Sequence, residues 1–147
     1  MPPLNLPLAK LQLSRSGEKI FVWDVVRKKN LVLTPEEWVR QHFIHFLLGR
    51  GYPLSSISTE SGLYLNRQLR RTDILVFRNN RPALLIECKA PRVKISQEVF
   101  DQASRYNLEL KTRHLVITNG LDHFFAFTEE EAPGYKFLEE LPGYHEI

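Results

Sequence analysis

Cysteine and long apolar runs are what this 147-residue chain most clearly lacks. Its only cysteine, Cys88, has no partner within the chain, which excludes an internal disulfide and permits a reducing compartment. No apolar run approaches the roughly 20 residues that a transmembrane helix needs. The first 13 residues contain three prolines and no continuous apolar segment of the kind found in a secretory signal. We therefore predict a cytoplasmic protein that is not in a membrane.

Several catalytic motifs are also missing from the sequence. There is no G-x-S-x-G nucleophile turn, no glycine-rich nucleotide loop and no G-x-x-x-x-G-K-[ST] phosphate loop. His42 and His45 are three residues apart, but no cysteine or acid at ligand spacing accompanies them. These absences disfavour a serine hydrolase, an ATP-driven motor and a zinc hydrolase.

Charge is distributed unevenly along the chain, although the formal net charge is only +3. Residues 1–119 hold 19 of the 20 basic and 10 of the 17 acidic residues, a net charge of +9. The last 28 residues hold seven acids and one lysine, a net charge of −6. A basic body suggests a polyanionic partner, because phosphate contacts supply most sequence-independent affinity for nucleic acid. Charge that serves only solubility is an equally weighted alternative.

The pattern of elements predicts a single domain. It has an N-terminal hairpin extension (1–33), a core (34–128) and an acidic C-terminal tail (129–147). In the core, Thr34-Pro35-Glu36-Glu37 predicts a helix that starts at Pro35 with Thr34 as its N-cap and ends near Leu48. A second helix is predicted from about Ser96 to Lys111. Strands are predicted at 19–26, 31–33, 73–77, 83–87, 114–118 and 124–127. This order predicts an α/β fold with a central mixed sheet flanked by helices.

Two carboxylates stand at the ends of neighbouring predicted strands. If Phe77 faces Ala83 across a five-residue loop, Asp73 falls opposite Glu87, with Cβ atoms about 4.5–5.5 Å apart. Like charges so placed destabilise a sheet unless a cation joins them, and Mg²⁺ is often held by one or two carboxylates. Strand alternation puts Lys89 on the face of Glu87 and Cys88 on the other face. The alternative is a solvated salt bridge, which contributes about 0–1 kcal/mol.

These residues and their surroundings resemble a known family. Asp73 followed by Glu87-Cys88-Lys89 resembles the PD-(D/E)xK nuclease signature, with Thr72 in place of the usual proline. Three further segments resemble the N-terminal nuclease domain of type I restriction enzyme R subunits. They are Thr34 to Gln41 (TPEEWVRQ), Ile86 to Pro91 (IECKAP) and Thr118-Asn119-Gly120, together with Gln102 and Tyr106 in a Q-x-x-x-Y pattern. The resemblance implies a restriction-endonuclease-like fold and Mg²⁺-dependent (or Mn²⁺-dependent) cleavage of DNA.

The same resemblance implies roles for individual residues. Asp73, Glu87 and the backbone carbonyl of Cys88 are predicted metal ligands, and Lys89 positions or activates the attacking water. Gln102 and Tyr106 lie one helical turn apart and help to order the site; the alternative is a buried tyrosine beside an exposed glutamine.

Glu36 is predicted to be an acid that the first helix adds to the site. Glu36 begins the apolar stripe of that helix and is therefore expected to point inward, whereas the N-terminal capping interaction alone explains Glu37. The alternatives are that Glu36 is an exposed acid stabilised by the helix dipole, or that Glu37 takes the role in its place. Arg40, one turn on, is expected to pair with either acid.

Seven cations lie close in sequence to the two central acids, which suits a phosphate-binding cleft. Five of them are predicted to bind nucleic acid: Arg67, Arg70, Arg71, Arg92 and Lys94; Arg78 and Arg81 complete the set. We therefore expect a metal-dependent DNA endonuclease without its own helicase motor, acting as a homodimer or with separate motor or specificity subunits. The alternatives are a catalytically silent nucleic-acid-binding module and a partner-dependent subunit of a larger DNA-processing complex. The acidic tail is expected either to cover the basic cleft or to pack its aromatic residues on the body.

Overall fold

A computed structural model describes residues 1–59, 62–65, 68–129 and 132–147, with backbone only at 62–65, 68–71 and 132–133. A central six-stranded sheet carries the core. Its strands are β4 (Ile57–Thr59), β7 (Ile74–Arg78), β8 (Arg81–Cys88), β9 (His114–Thr118), β10 (His123–Glu129) and β11 (Ala132–Leu138). The order across the sheet is β11-β10-β9-β8-β7-β4, and only the β8–β9 pair is parallel. The expected α/β fold with a mixed sheet is confirmed.

Two smaller sheets accompany the central one. The strands β1 (Leu13–Ser16), β2 (Lys19–Asp24) and β3 (Lys29–Val32) form an antiparallel sheet, and β5 (Gly62–Leu65) pairs with β6 (Gln68–Arg71). The N-terminal hairpin was predicted, but β1 was not. Leu13 is the one apolar residue among the four of β1, and the strand is exposed along its length. The sequence therefore shows no apolar alternation there.

The two helices cover opposite faces of the central sheet. Helix α1 (Pro35–Gly49) packs on a core cluster with Ile74, Val76 and Ile86, while α2 (Gln97–Leu110) packs on Leu75 and Leu85. The side chain of Thr34 accepts a hydrogen bond from the amide of Glu37 at 3.0 Å, which confirms the predicted N-cap. Helix α2 connects the parallel strands β8 and β9, as parallel pairs require.

The hairpin of β7 and β8 differs from its predicted form. A two-residue turn, Asn79-Asn80, joins Arg78 directly to its partner Arg81, and both turn residues have positive φ angles of 53° and 61°. The expected five-residue loop is therefore wrong. Asparagine tolerates the left-handed conformation that such tight hairpin turns require.

A β-bulge restores the predicted register further along the same hairpin. Phe77 pairs with Pro82, not with Ala83, but the register shifts so that Val76 faces Leu84 and Ile74 faces Ile86. Continued by one residue, this register places Asp73 opposite Glu87, as the sequence suggested. Ala83 is the extra residue that makes the shift.

The C-terminal segment is part of the fold. Strand β11 pairs with β10 at the edge of the sheet away from β7, and Leu141 is buried in the core. Tyr52 donates a hydrogen bond to the carbonyl of Pro142 at 2.6 Å, and the rings of Tyr144 and Tyr52 pack edge to face. Among the described residues of the predicted tail, Tyr144 packs on the body as one of the two expectations has it, and strand β11 lies three strands away from β8.

Candidate active site

The candidate site lies where β7 begins and β8 ends. Asp73 precedes the first residue of β7, and its side chain is only 13% exposed. One carboxylate oxygen, Oδ1, accepts a hydrogen bond from Nη2 of Arg40 at 2.7 Å, and the other, Oδ2, accepts one from the amide of Cys88 at 2.9 Å. The second bond fixes Asp73 against the end of β8 and therefore next to Glu87.

Glu87 forms an acid pair with Asp73. Partial burial, the negative charge of Asp73 and a hydrogen bond between the two side chains raise the pKa of Glu87 to about 8, while nearby Lys89 works in the opposite direction. Near neutral pH Glu87 therefore keeps its proton beside the negative charge of Asp73. Such a strained pair is typical of a functional site, where a cation relieves it.

Lys89 is placed by the sheet itself. Its amide donates to the carbonyl of Thr118 in β9 at 2.8 Å, which carries the β8–β9 pairing one residue past the end of β8. The half-buried side chain lies near enough to Glu87 to oppose the increase in its pKa. Cys88 faces the other way, into the cluster under α1, where burial raises the pKa of its thiol. The predicted alternation of Glu87, Cys88 and Lys89 is thus present.

Helix α1 contributes a cation to the site. The side chain of Arg40 is 6% exposed and contacts three carboxylates: Asp73, Glu36 at 3.1 Å and Glu37. Burial alone would lower the pKa of Arg40, but Glu37 and Asp73 outweigh it and raise the pKa. Pairing of Arg40 with either helix acid was predicted, and it contacts both. Its bond to Asp73 was missed, because nothing in the spacing of residues 40 and 73 indicates it.

The two helix acids are placed in the reverse of the predicted order. Glu36 leaves 47% of its side chain exposed, whereas Glu37 is buried and also accepts a hydrogen bond from Gln41 at 2.8 Å. The prediction that Glu36 points inward is wrong, since α1 is buried on a wider face than its apolar stripe suggests. Glu36 still lies beside the site, because it contacts the same Nη2 atom of Arg40 as Asp73 does.

The residues on α2 are less closely associated with the acids. Gln102 is exposed, and within the described ranges no hydrogen bond joins it to Asp73 or Glu87. Tyr106 is half-buried and packs in the apolar cluster under α2 with Leu85 and Ile117. The two side chains lie on one side of α2, which covers the face of the sheet towards which Glu87 points.

The predicted nucleic-acid contacts fall into two groups. Arg92 and Lys94 are exposed in the loop after β8, which Asn119 holds by donating a hydrogen bond to the carbonyl of Val93 at 2.8 Å. Arg67, and the side chains of Arg70 and Arg71, lie outside the described residues. Arg78 and Arg81 lie at the turn end of the hairpin, away from the acids, so the expectation that they surround the site is wrong.

The donor set of the site suits a hard divalent cation. Asp73 and Glu87 offer carboxylate oxygens, which Mg²⁺ and Mn²⁺ prefer, and Mg²⁺ needs only one or two of them when substrate phosphate and water complete its shell. Among the described side chains no group of three or more His, Cys, Asp and Glu residues is arranged to hold a metal ion. The two acids therefore fit a metal that shares its ligands with substrate.

Comparison with known proteins identifies the family. Residues 35–142 match the family described as type I restriction enzyme R protein N terminus. The chain belongs to this family. The match begins at the first residue of α1 and extends beyond β11, so it includes the acid pair, Lys89 and the whole central sheet. The fold is accordingly a restriction-endonuclease-like α/β core.

Other comparisons add no relatives. Neither the curated proteins nor the solved structures gave a match to this chain. In the described parts of the chain, no helix is both long and apolar enough to cross a membrane.

Proposed function

We propose that this R-subunit N-terminal domain is a metal-dependent endonuclease that hydrolyses DNA phosphodiester bonds. The observation that carries the proposal is the acid pair: Asp73 and Glu87 share a hydrogen bond at the end of the sheet, with Lys89 beside them. Two adjacent carboxylates raise each other's energy, and the proton that relieves them in the free protein can be replaced by a cation. The family supports the same conclusion.

The bound ion, Mg²⁺ or Mn²⁺, would polarise the scissile phosphate and lower the pKa of a water molecule. Asp73, Glu87 and the carbonyl of Cys88 would hold it. Glu87 must first lose its proton, because a protonated carboxyl is a poor ligand. Because the pKa of Glu87 is raised in the metal-free chain, metal binding should release a proton and strengthen as pH rises.

The remaining side chains have separate tasks in this proposal. The ammonium group of Lys89 orients the attacking water and offsets the negative charge that develops on the phosphate. Arg40 holds Oδ1 of Asp73 and the amide of Cys88 holds Oδ2, so coordination would use the remaining lone pairs of these two oxygens. Glu36, at the exposed edge of the site, accepts a hydrogen bond from water bound there, and Gln102 and Tyr106 border the path of the DNA. Arg67, Arg70, Arg71, Arg92 and Lys94 contact its phosphates.

A catalytically silent nucleic-acid-binding module is the second candidate, and one observation favours it. Both oxygens of Asp73 already accept hydrogen bonds, one of them from a buried guanidinium. In such a module Arg40 would permanently take the position of the cation. The third candidate is a partner-dependent subunit. It is suggested by the family, whose members are parts of R subunits.

Incubation of the full chain with plasmid and with single-stranded DNA, with Mg²⁺, with Mn²⁺ or with EDTA, tests the proposal. We expect metal-dependent cleavage, and a loss of at least about 1,000-fold in Asp73→Asn, Glu87→Gln and Lys89→Met. Glu139→Gln is the matched control for Glu87→Gln, since Glu139 is exposed and follows β11, which lies three strands from β8. Calorimetric Mg²⁺ binding without cleavage would support a subunit that needs a partner. No metal binding at all would support the silent module.

A further inference from the structure

A second cluster of charge lies at the turn end of the β7–β8 hairpin, and none of the roles above uses it. A cleft of about 620 Å³ opens there between the hairpin, the end of α2 and the C-terminal residues. We call it the turn cleft; its charged lining residues are Arg78, Arg81, Lys111, Arg113 and Glu146, and its rings are those of Phe127 and His114, whose centroids lie 5.1 Å apart. Four cations and one acid thus line a cavity of the size that holds a small organic ligand.

The hairpin places two of these cations face to face. Arg78 and Arg81 are direct cross-strand partners on either side of the Asn79-Asn80 turn, an arrangement that costs energy for like charges. Arg78 is held by hydrogen bonds to backbone oxygens of His145 at 2.6 Å and Ile147 at 2.7 Å. Arg81 is exposed, and within the described residues it forms no ion pair.

The other two cations are presented by a rigid connection. Lys111 caps α2 in the left-handed conformation (φ 60°), and β9 begins at His114, level with Leu84 of β8. Between them Thr112 is buried, and its hydroxyl donates to the side-chain oxygen of Asn107 at 2.6 Å. Because Thr112 is locked inward, Lys111 and Arg113 are both turned to solvent beside the hairpin.

The remaining lining residues suit a nucleotide chain better than a lone anion. The half-buried ring of Phe127 forms a wall against which a base can stack. Glu146 accepts a hydrogen bond from the amide of Gly143 at 2.8 Å, so its carboxylate is turned towards its own backbone. The four cations come from two chain segments, the hairpin turn and the connection between α2 and β9.

We propose that the turn cleft binds a nucleic-acid strand through its phosphates, as a contact region separate from the acid pair. Successive phosphate groups are contacted by Arg81, Lys111 and Arg113. A base stacks on Phe127, while Arg78 holds the C-terminal backbone in place beside the cleft. The cleft lies at the opposite end of β7 and β8 from Asp73 and Glu87, so a strand that reaches both ends of the hairpin is held at two points. This contact requires no metal and no cleavage.

Fluorescence anisotropy with a labelled single strand of about 20 nucleotides, in EDTA, tests the proposal on the full chain. We expect Arg81→Gln combined with Lys111→Gln to weaken binding roughly tenfold at low salt. The slope of log affinity against log salt should fall by about 1.4, since each lost contact to a single strand removes about 0.7. The matched control is Arg15→Gln with Lys19→Gln, which removes the same two charge types from exposed positions on β1 and β2.

Equal losses in the two double variants would overturn the proposal, because they would show a general effect of net charge. Unchanged affinity in Arg81→Gln/Lys111→Gln would also overturn it, once a thermal melt shows that this variant is folded. Inorganic pyrophosphate is the probe for a small-anion site. If it binds as tightly as the oligonucleotide, the cleft takes a free phosphate ligand and the strand proposal is overturned. Because the assay is run in EDTA and measures binding without cleavage, a failure of the nuclease proposal leaves this result unaffected.

Discussion

The two ends of the β7–β8 hairpin place like charges face to face, but they manage them differently. At the open end, Asp73 and Glu87 are largely enclosed, and Arg40, Lys89 and the amide of Cys88 surround them. At the turn end, Arg78 and Arg81 meet at the surface, and Arg81 has no ion-pair partner among the described residues. Buried like charges need compensation from the protein, whereas exposed ones are left to solvent or to a ligand.

This difference shows which end is coupled to folding. The contacts that Asp73 makes with Arg40 and with the amide of Cys88 join α1, β7 and β8, and the two side chains are almost fully buried. At the turn, Arg78 donates hydrogen bonds to backbone oxygens, and Arg81 is exposed. We therefore expect substitutions at the acid end to change both stability and activity, and those at the turn end to change binding alone.

The largest stability effect is expected from Arg40→Met. Its removal leaves Glu37 and Asp73 without their shared buried cation, and breaking such a buried pair typically costs about 3–5 kcal/mol. Chemical denaturation monitored by circular dichroism measures the change. Arg81→Met is the control at the turn end, where we expect less than about 0.5 kcal/mol. Similar losses in the two variants would remove the distinction between the two ends.

A smaller effect is expected from the titration of Glu87. Its pKa is raised from 4.5 to about 8 in the folded chain, so between these values the folded state binds more protons than the unfolded state. Stability contributed by Glu87 is therefore present below about pH 4.5 and is lost as pH rises towards 8.

Glu87→Gln should remove this loss. We expect the variant to gain stability relative to the parent chain as pH increases from 5 to 8, measured as the difference between their unfolding free energies at each pH. Taking the difference cancels the opposite contributions of His45 and His114, whose pKa values are lowered by burial. A difference that stays constant with pH would show that Glu87 is ionised in the folded chain, contrary to the paired-acid description.

The smallest effect is expected at the turn. Asn80 has a positive φ angle of 61°, which glycine adopts without strain, and Asn-Gly is the preferred pair for such two-residue turns. Asn80→Gly should therefore raise the unfolding free energy by about 0.5 kcal/mol and leave cleavage and Mg²⁺ binding unchanged. Reduced cleavage in this variant would show that the turn and the acid pair are coupled.

Much of the candidate site was predictable because it depends on local patterns. The Thr34 cap, the limits of β9 and the alternation of Glu87 and Lys89 follow from spacing alone and are confirmed. The opposition of Asp73 and Glu87 is also correct, but for a partly wrong reason. The sequence suggested a long loop with no bulge, whereas the chain has a short turn with a bulge at Ala83, and the two errors cancel.

Other features depend on tertiary contacts that spacing does not reveal. The burial of Glu37 in place of Glu36 depends in part on Arg27, which lies between β2 and β3 and reaches the Glu37 carboxylate at 3.7 Å. Strand β11 contains Pro133 and Gly134 and was predicted to belong to an irregular tail, yet pairing with β10 makes it a strand. In each case a neighbour distant in sequence overrides the local preference.

The bulge at Ala83 has a consequence for how the chain can vary in length. On its acid side the partners of β7 and β8 stay the same whether Ala83 is present or deleted, because it is the one residue of the pair that has no counterpart. Loss of a single codon there should regularise the ladder and keep Glu87 beside Asp73. If Leu85 or Ile86 were deleted instead, Asp73 would stay opposite Glu87 only if Ala83 left the bulge and became paired. Such a deletion would also remove a core side chain. The hairpin can therefore lose one residue at Ala83 without displacing the two acids.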